Sequence, residues 1–113
     1  MREKVWRIEV ATREGLIDPA GEAITSDIAD LGLTGVRSVR FVRVFFVKTG
    51  ESAAKVRKIA TELLSDPICD VSAVGRHVLK AARDVSVVEV VRKPGVMDPV
   101  EASTLKGIAE MGY

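Results

Sequence analysis

The feature that most constrains the fold of this chain is an internal repeat. Residues 13–24, REGLIDPAGEAI, return in part as residues 93–104, KPGVMDPVEAST, at an offset of about eighty residues. In this register Asp18 falls on Asp98, and the glycines and several apolar residues around them also coincide. Self-similarity at a fixed offset indicates that one supersecondary unit is built more than once. The chain therefore contains one structural unit and the beginning of a second.

The first strand and helix of each copy can be predicted from the pattern of residue types. Apolar and polar residues alternate over residues 5–11, which predicts a half-buried strand. Asp18 and Pro19 are typical of the N-cap and first position of a helix, and Gly32 is typical of a helix end. Asp98 has the same place in the second copy. We therefore interpret Asp18 and Asp98 as helix caps and not as catalytic carboxylates.

The stretch at residues 36–48 is the most β-prone, but its apolar alternation changes phase partway along. If Val39 and Phe46 both point inward, a bulge or bend is needed near Arg43. The end of the stretch is apolar on both faces, so we expect a second layer to cover its outer face. The residues predicted to form this partner interface are Val42, Arg43, Phe45 and Val47.

The remaining periodicities complete a small two-layer fold. Helical spacing predicts a second helix over residues 52–65, and a further short strand follows at 68–74. We place this first unit at residues 1–82, and the strand and helix that open a second unit at 83–113. The predicted class is α+β, a two-layer antiparallel sheet with helices on one face, in a ferredoxin-like arrangement.

Composition excludes several classes of function. Seventeen basic and sixteen acidic residues leave a net charge of +1, far from the basic balance of proteins that bind nucleic acid through charge. The single Cys69 and single His77 form no disulfide pair, metal-ligand spacing or nucleophile–base set. The sequence shows neither a signal peptide nor a membrane-spanning run. We expect a cytoplasmic protein with no catalytic residue, metal or cofactor of its own.

The segment TREGLIDPAGEAI, preceded by a strand and followed by Leu31-Gly-Leu, resembles the PurS family. PurS is the small subunit of phosphoribosylformylglycinamidine synthase, and the resemblance covers about residues 5–75. Arg13 stands where the family usually has lysine, and Val42-Arg43 stands where it commonly has Gly-Lys. Because this glycine is missing, no close backbone approach that depends on it is expected here, and the local bend needs another origin.

The resemblance implies an assembly domain that is not an enzyme on its own. Such a subunit dimerises through its sheet and bridges the glutaminase to the ATP-dependent synthetase in purine biosynthesis. A tandem pair within one chain would mimic the dimer. From the second copy we expect residues 1–113 to be the N-terminal part of a longer synthetase polypeptide.

Three alternatives stay open from the sequence. Arg13, Arg40 and Arg43 are candidate contacts for an anion such as a ribose phosphate, although charged strand edges also prevent unwanted pairing. The aromatic residues between 41 and 46 would suit an RNA-binding sheet, but the glycines of that motif are missing. A regulatory module of the ACT type shares the predicted architecture and binds small molecules. Only a measurement of ligand binding would distinguish such a module from an assembly domain.

Overall fold

The computed structural model describes residues 3–80, 85–91 and 99–113 of the chain. The chain divides into two compact units, residues 1–78 and 79–113, and each is described here by itself.

The first unit is built on a three-stranded antiparallel sheet. Its strands are β1 (Lys4–Thr12), β2 (Val42–Thr49) and β3 (Asp70–Val74), in the order β2-β1-β3. Because β1 pairs on both sides, its second half is the most buried part of the sheet, from Ile8 to Ala11. Together with the helices that follow β1 and β2, this arrangement is the predicted α+β fold.

The two faces of the sheet differ in how well they are covered. Ile8 and Val10 are fully buried on one face, which we call the core face. Phe45 pairs with Ile8 and therefore lies on the same face. On the other face, which we call the open face, Phe46 remains 61% exposed. The open face includes Val5, Arg7, Glu9, Val44, Phe46 and Lys48.

The predicted bulge in β2 is wrong. The strand pairs with β1 without interruption from Val42 to Thr49, and residues 36–41 belong to no strand. The prediction assumed that Val44 and Phe46 face the core, whereas the register turns Phe45 inward in their place. Since Val39 and Phe45 have the same parity, no change of phase is needed.

The predicted interface residues of β2 do not share one face. Val42 stands opposite Ala11, whereas Arg43 stands opposite Val10 and lies on the core face. Phe45 and Val47 are also on the core face and are only half exposed. Because successive side chains of a strand alternate, this set cannot form a single outer surface.

Helix α1 (Pro19–Asp30) begins as predicted, with Asp18 as N-cap and Pro19 in the first position. Only Gly21 of this helix is buried, and a Cβ added at this position would collide with the carbonyl oxygen of Val39. The hydroxyl of Thr25 accepts a hydrogen bond from the Val39 N–H at 3.0 Å. The segment before β2 therefore runs against α1 and is held by polar contacts.

The second helix supplies the other half of the core. Helix α2 (Ala53–Ile59) starts at the N-cap Ser52 and continues directly into a π-helical turn, Ala60–Leu64. Val56 and Ile59 are fully buried, and with Ile8 and Val10 they are the largest fully buried side chains. The predicted helix over residues 52–65 is thus present, with a wider last turn.

In the second unit, α3 (Pro99–Glu110) forms where the repeat predicts a helix. Residues 85–91, however, belong to no strand, contrary to the prediction that they repeat β1. A strand is held by its neighbours, and among the described residues no strand pairs with residues 85–91. The predicted cap Asp98 lies outside the described residues.

Candidate functional site

The three arginines predicted to bind an anion gather at the end of β1. The Arg13 guanidinium, just after the strand, donates to the carbonyl oxygens of Pro67, Ile68 and Asp70 at 3.3, 3.4 and 3.2 Å. The Arg13 backbone N–H also donates to the Cys69 carbonyl. These contacts fasten the turn before β3 to the end of β1.

Arg40 and Arg43 also have protein partners. Arg40 Nη2 donates to the Thr12 carbonyl at 2.6 Å, and its Nε lies 3.6 Å from a carboxylate oxygen of Asp18. Arg43 Nη2 reaches across β1 to Asp70 Oδ2 at 2.9 Å. Each arginine donates to a carbonyl or carboxylate oxygen of the protein. Their observed role is therefore to link the segments that meet at this end of the sheet. Anion binding here stays a prediction.

Asp18 joins α1 to the start of β2. Its Oδ1 accepts from the Gly21 N–H at 3.0 Å, and its Oδ2 accepts from the Phe41 N–H at 2.9 Å. The residue is 8% exposed. A carboxylate that caps a helix and also binds a second segment has its acceptors in use, which agrees with the interpretation of Asp18 as a cap.

An open cleft of about 530 Å³ lies between α1 and the segment that precedes β2. Leu16 and Ile17 contribute apolar surface, whereas Arg37 and Ser38 contribute polar groups. Among the residues lining the cleft, the buried Asp18 is already engaged. The cleft shows no converging set of groups that would define a reaction.

A buried carboxylate that no sequence motif predicts lies at the centre of the sheet. Glu9 is 4% exposed, and its Oε1 accepts from the Val78 N–H at 3.1 Å. Its Oε2 lies 2.9 Å from Arg7 Nε and 3.0 Å from His77 Nδ1. Because an ionised carboxylate can only accept, the Nδ1 of His77 carries the proton.

The environment of Glu9 sets the direction of its pKa shift. Burial alone would raise the pKa of Glu9, because a carboxylate loses solvation inside the protein. The hydrogen bonds from Val78, Arg7 and His77 outweigh that effect and hold the pKa below its ordinary value of 4.5. Glu9 is therefore ionised at neutral pH. The only sequence signal for its importance is its recurrence as Glu89.

The open face carries an apolar patch beside these charges. Val5 is 57% and Phe46 61% exposed, although both lie in paired strands. The Arg7 guanidinium lies 5.5 Å from the centre of the Phe46 ring, which is the distance of a cation–π contact. Exposed apolar residues adjacent to each other on a sheet are typical of an interaction surface.

The part of the chain that the structure describes shows no cluster of three His, Cys, Asp or Glu residues that could hold a metal ion. None of its helices is long and apolar enough to cross a membrane.

Comparison with solved structures finds the same fold in PurS proteins. B. subtilis PurS is 18% identical, with a TM-score of 0.57 over 62% of this chain and 92% of that one. Methanocaldococcus jannaschii PurS, described as one of the subunits of formylglycinamide ribonucleotide amidotransferase in the purine biosynthetic pathway, is 19% identical. Its TM-score is 0.54, with coverage of 62% and 90%.

The purS subunit of phosphoribosylformylglycinamidine synthase from Thermotoga maritima is 25% identical, with a TM-score of 0.53 and coverage of 64% and 88%. No curated protein matches the chain. The PurS family model, described as phosphoribosylformylglycinamidine (FGAM) synthase, matches residues 5–74. This match covers more than half of the chain and ends where β3 ends, so the chain belongs to the PurS family.

Proposed function

We propose that this chain is a non-catalytic assembly subunit or domain of phosphoribosylformylglycinamidine synthase. It holds the ATP-dependent synthetase and the glutaminase in register and contributes no side chain to the chemistry. The observation that carries this proposal is the family match over residues 5–74, which takes in the three-stranded sheet except for Lys4. Nothing in the described residues favours the ACT-like or RNA-binding alternatives.

The contacts of the titratable residues support a structural role. Asp18 caps a helix, and Asp70 binds Arg43. A general base needs a free lone pair near a reacting group, whereas these two carboxylates hold backbone and side chains in place.

A reconstitution assay tests the assembly role. Synthetase and glutaminase components are mixed with and without this chain, and glutamine-dependent formation of the amidine product is measured. We expect glutamine-dependent turnover to require the chain, while ammonia-dependent turnover by the synthetase does not. Turnover of ATP or glutamine by the chain alone, clearly above blank, would contradict the proposal.

The open face is the surface that supports association best. Phe46 and Val5 are its most exposed apolar residues, and Val44 lies beside them at 37% exposure. Burying such a patch against a second sheet, supplied by another copy or by a partner subunit, would remove it from water. Of the residues predicted from the sequence to form the partner interface, Val42 lies on this face, whereas Arg43, Phe45 and Val47 lie on the core face.

Two matched lysine substitutions distinguish the faces of β2. Phe46→Lys should weaken association, measured by light scattering at tens of micromolar, and leave the unfolding temperature nearly unchanged. Phe45→Lys should lower the unfolding temperature, because Phe45 lies on the core face opposite Ile8. Strictly monomeric wild-type chain, or equal effects of the two changes, would argue against the open face as an interface.

We also propose that residues 83–113 open a second repeat. The ends of α1 and α3 support it, because their hydrogen bonds match at the repeat offset. Gly32 N–H donates to Ala29 O at 2.9 Å, and Gly112 N–H donates to Ala109 O at 3.0 Å. Both glycines have a positive φ, 85° and 86°, which is the left-handed backbone conformation that commonly ends an α-helix.

The segment at residues 85–91, which forms no strand, tests this second repeat. Its valines are between 56% and 90% exposed, as expected of a central strand without neighbours. Its amides should exchange rapidly in this chain and become protected in any longer form that carries the strands of a second unit. Rapid exchange in such a form would mean that residues 85–91 are not a counterpart of β1.

A further inference from the structure

The chain leaves β3 and immediately returns along the central strand. Gly75, with a φ of 73°, donates its N–H to the carbonyl of Arg7 at 2.8 Å. Three residues later the Val78 N–H donates to Glu9 Oε1. We call residues 75–78 the connector. It is attached to β1 at two points, of which the first uses only backbone and the second depends on a side chain.

The charge of Glu9 at the second attachment is balanced by neighbouring groups on β1 and on the connector. Arg7 on β1 and His77 on the connector are the titratable groups that face the Glu9 carboxylate. Val44 on β2 and Ala73 on β3, which stand opposite Glu9, carry no charge. A buried carboxylate is tolerated only when its oxygens accept hydrogen bonds. The Val78 N–H of the connector supplies such a bond to Glu9, and Glu9 in turn supplies an acceptor for that N–H.

We propose that Glu9 is a positioning residue whose carboxylate fastens the connector to the centre of the sheet. Val78 is the last residue of the first compact unit. The attachment therefore fixes the point at which the chain leaves that unit. Arg7 orients the carboxylate from its own strand, and His77 adds a second bond from the connector. The inference does not depend on the identity of the partners or on the second repeat.

Amide hydrogen exchange followed by NMR tests this attachment residue by residue. The quantity compared is the protection factor, the intrinsic exchange rate divided by the observed one. In the wild-type chain we expect the amides of Gly75 and Val78 to be protected. Glu9→Ala removes the acceptor of Val78 and should lower its protection about tenfold or more, because bonds to charged groups are among the stronger ones.

Gly75 is the internal control, since its acceptor is the backbone carbonyl of Arg7. Its protection should persist in Glu9→Ala. His77→Ala is the matched variant, because it removes one bond to Glu9 and leaves the Val78 N–H bond in place. Val78 should remain protected in that variant. Unchanged Val78 protection in Glu9→Ala, with the sheet amides still protected, would overturn the proposal.

If Glu9→Ala does not fold, the wild-type chain decides the question through pH. Protonation of Glu9 removes its charge, so Val78 protection should fall as the pH drops below the pKa of Glu9. Gly75 should stay protected over the same range. Simultaneous loss at Val78, Gly75 and the core strands would show general unfolding with no separate attachment, and would overturn the proposal.

Discussion

Asp18 shows at the residue scale how one carboxylate can join two segments. Its two oxygens serve different donors, the Gly21 N–H inside α1 and the Phe41 N–H just before β2. The sequence predicts the first contact, because Asp-Pro is a common helix start. The second contact joins residues that are twenty-three positions apart. No local pattern predicts it.

Replacing Asp18 separates these two contacts. Asp18→Ala should lower the free energy of unfolding by about 2–4 kcal/mol, since a cap is lost and the Phe41 N–H loses its acceptor. Asp18→Asn should cost less, because one amide oxygen can still accept from Gly21. Urea denaturation measures both. The exposed Asp27→Ala in the same helix is the control and should change stability little. Equal values for all three variants would refute the double role.

Glu9 makes the free energy of unfolding of the first unit depend on pH in the acidic range. Its folded-state pKa lies below the ordinary value of 4.5, so the unfolded chain takes up the proton more readily. The stabilisation is therefore fully present above pH 4.5 and is lost as the pH falls through the folded-state pKa. Glu9→Gln should cost about 1–3 kcal/mol at neutral pH, as expected for a disrupted buried hydrogen-bond set.

The measurement is urea denaturation of the wild type and Glu9→Gln between neutral pH and pH 3. The difference between them should shrink as the pH falls, because the wild type loses its charge. Glu62→Gln, on the exposed side of the π-helical turn, is the control and should match the wild type. A difference that is constant with pH would show that the charge of Glu9 is not involved.

At the scale of elements, α1 is held by a close approach that only glycine permits. A Cβ built on Gly21 would collide with the carbonyl oxygen of Val39 and crowd the Asp18 carboxylate. The helix therefore packs against the segment before β2 backbone to backbone. The sequence shows the glycine in the Asp-Pro-Ala-Gly run but gives no reason for it.

Gly21→Ala should consequently destabilise the protein. Alanine in a helix interior normally gains about 1 kcal/mol over glycine. Here the clash should reverse the sign and cost about 1–3 kcal/mol, as overpacking usually does. Thermal unfolding followed by circular dichroism measures it. Gly35→Ala is the control, because no atom lies within 4 Å of its added Cβ. A more stable Gly21→Ala variant would mean that α1 shifts freely.

Strand β2 shows why a face could not be predicted from its own residues. Val44 and Phe46 on one parity, and Phe45 and Val47 on the other, are equally apolar. The choice is made by pairing with β1, which places Phe45 opposite Ile8 and Val47 opposite Trp6. Register is a tertiary property, and a shift of one residue exchanges the two faces.

At the scale of the whole molecule, the first unit has a hydrophobic core of its own. Among the residues that the structure describes, the buried apolar ones belong to this unit, and they are Ile8, Val10, Ala11, Val56, Ile59, Ala60, Leu64 and Ala73. A unit with its own core is expected to fold alone. The connector attachment at Val78 lies just inside its boundary.

A fragment of residues 1–80 should therefore fold without the rest of the chain. We expect it to unfold cooperatively and close to the unfolding temperature of the whole chain, as measured by calorimetry. A fragment of residues 1–72 is the comparison, because it truncates β3 and removes the connector, and it should be much less stable. An unfolded 1–80 fragment would show that residues beyond Lys80 are needed for the fold.

The sequence by itself determined the class of fold, the starts of α1 and α2, strands β1 and β3, the β-forming part of β2 and the family. These follow from periodicity, caps and turns, which act over a few residues. The tertiary structure decided which face of β2 is buried, what the three arginines hold and why Glu9 is ionised while buried. Each of these depends on partners distant in sequence, such as Glu9 with Val78, and local patterns carry no information about such pairs.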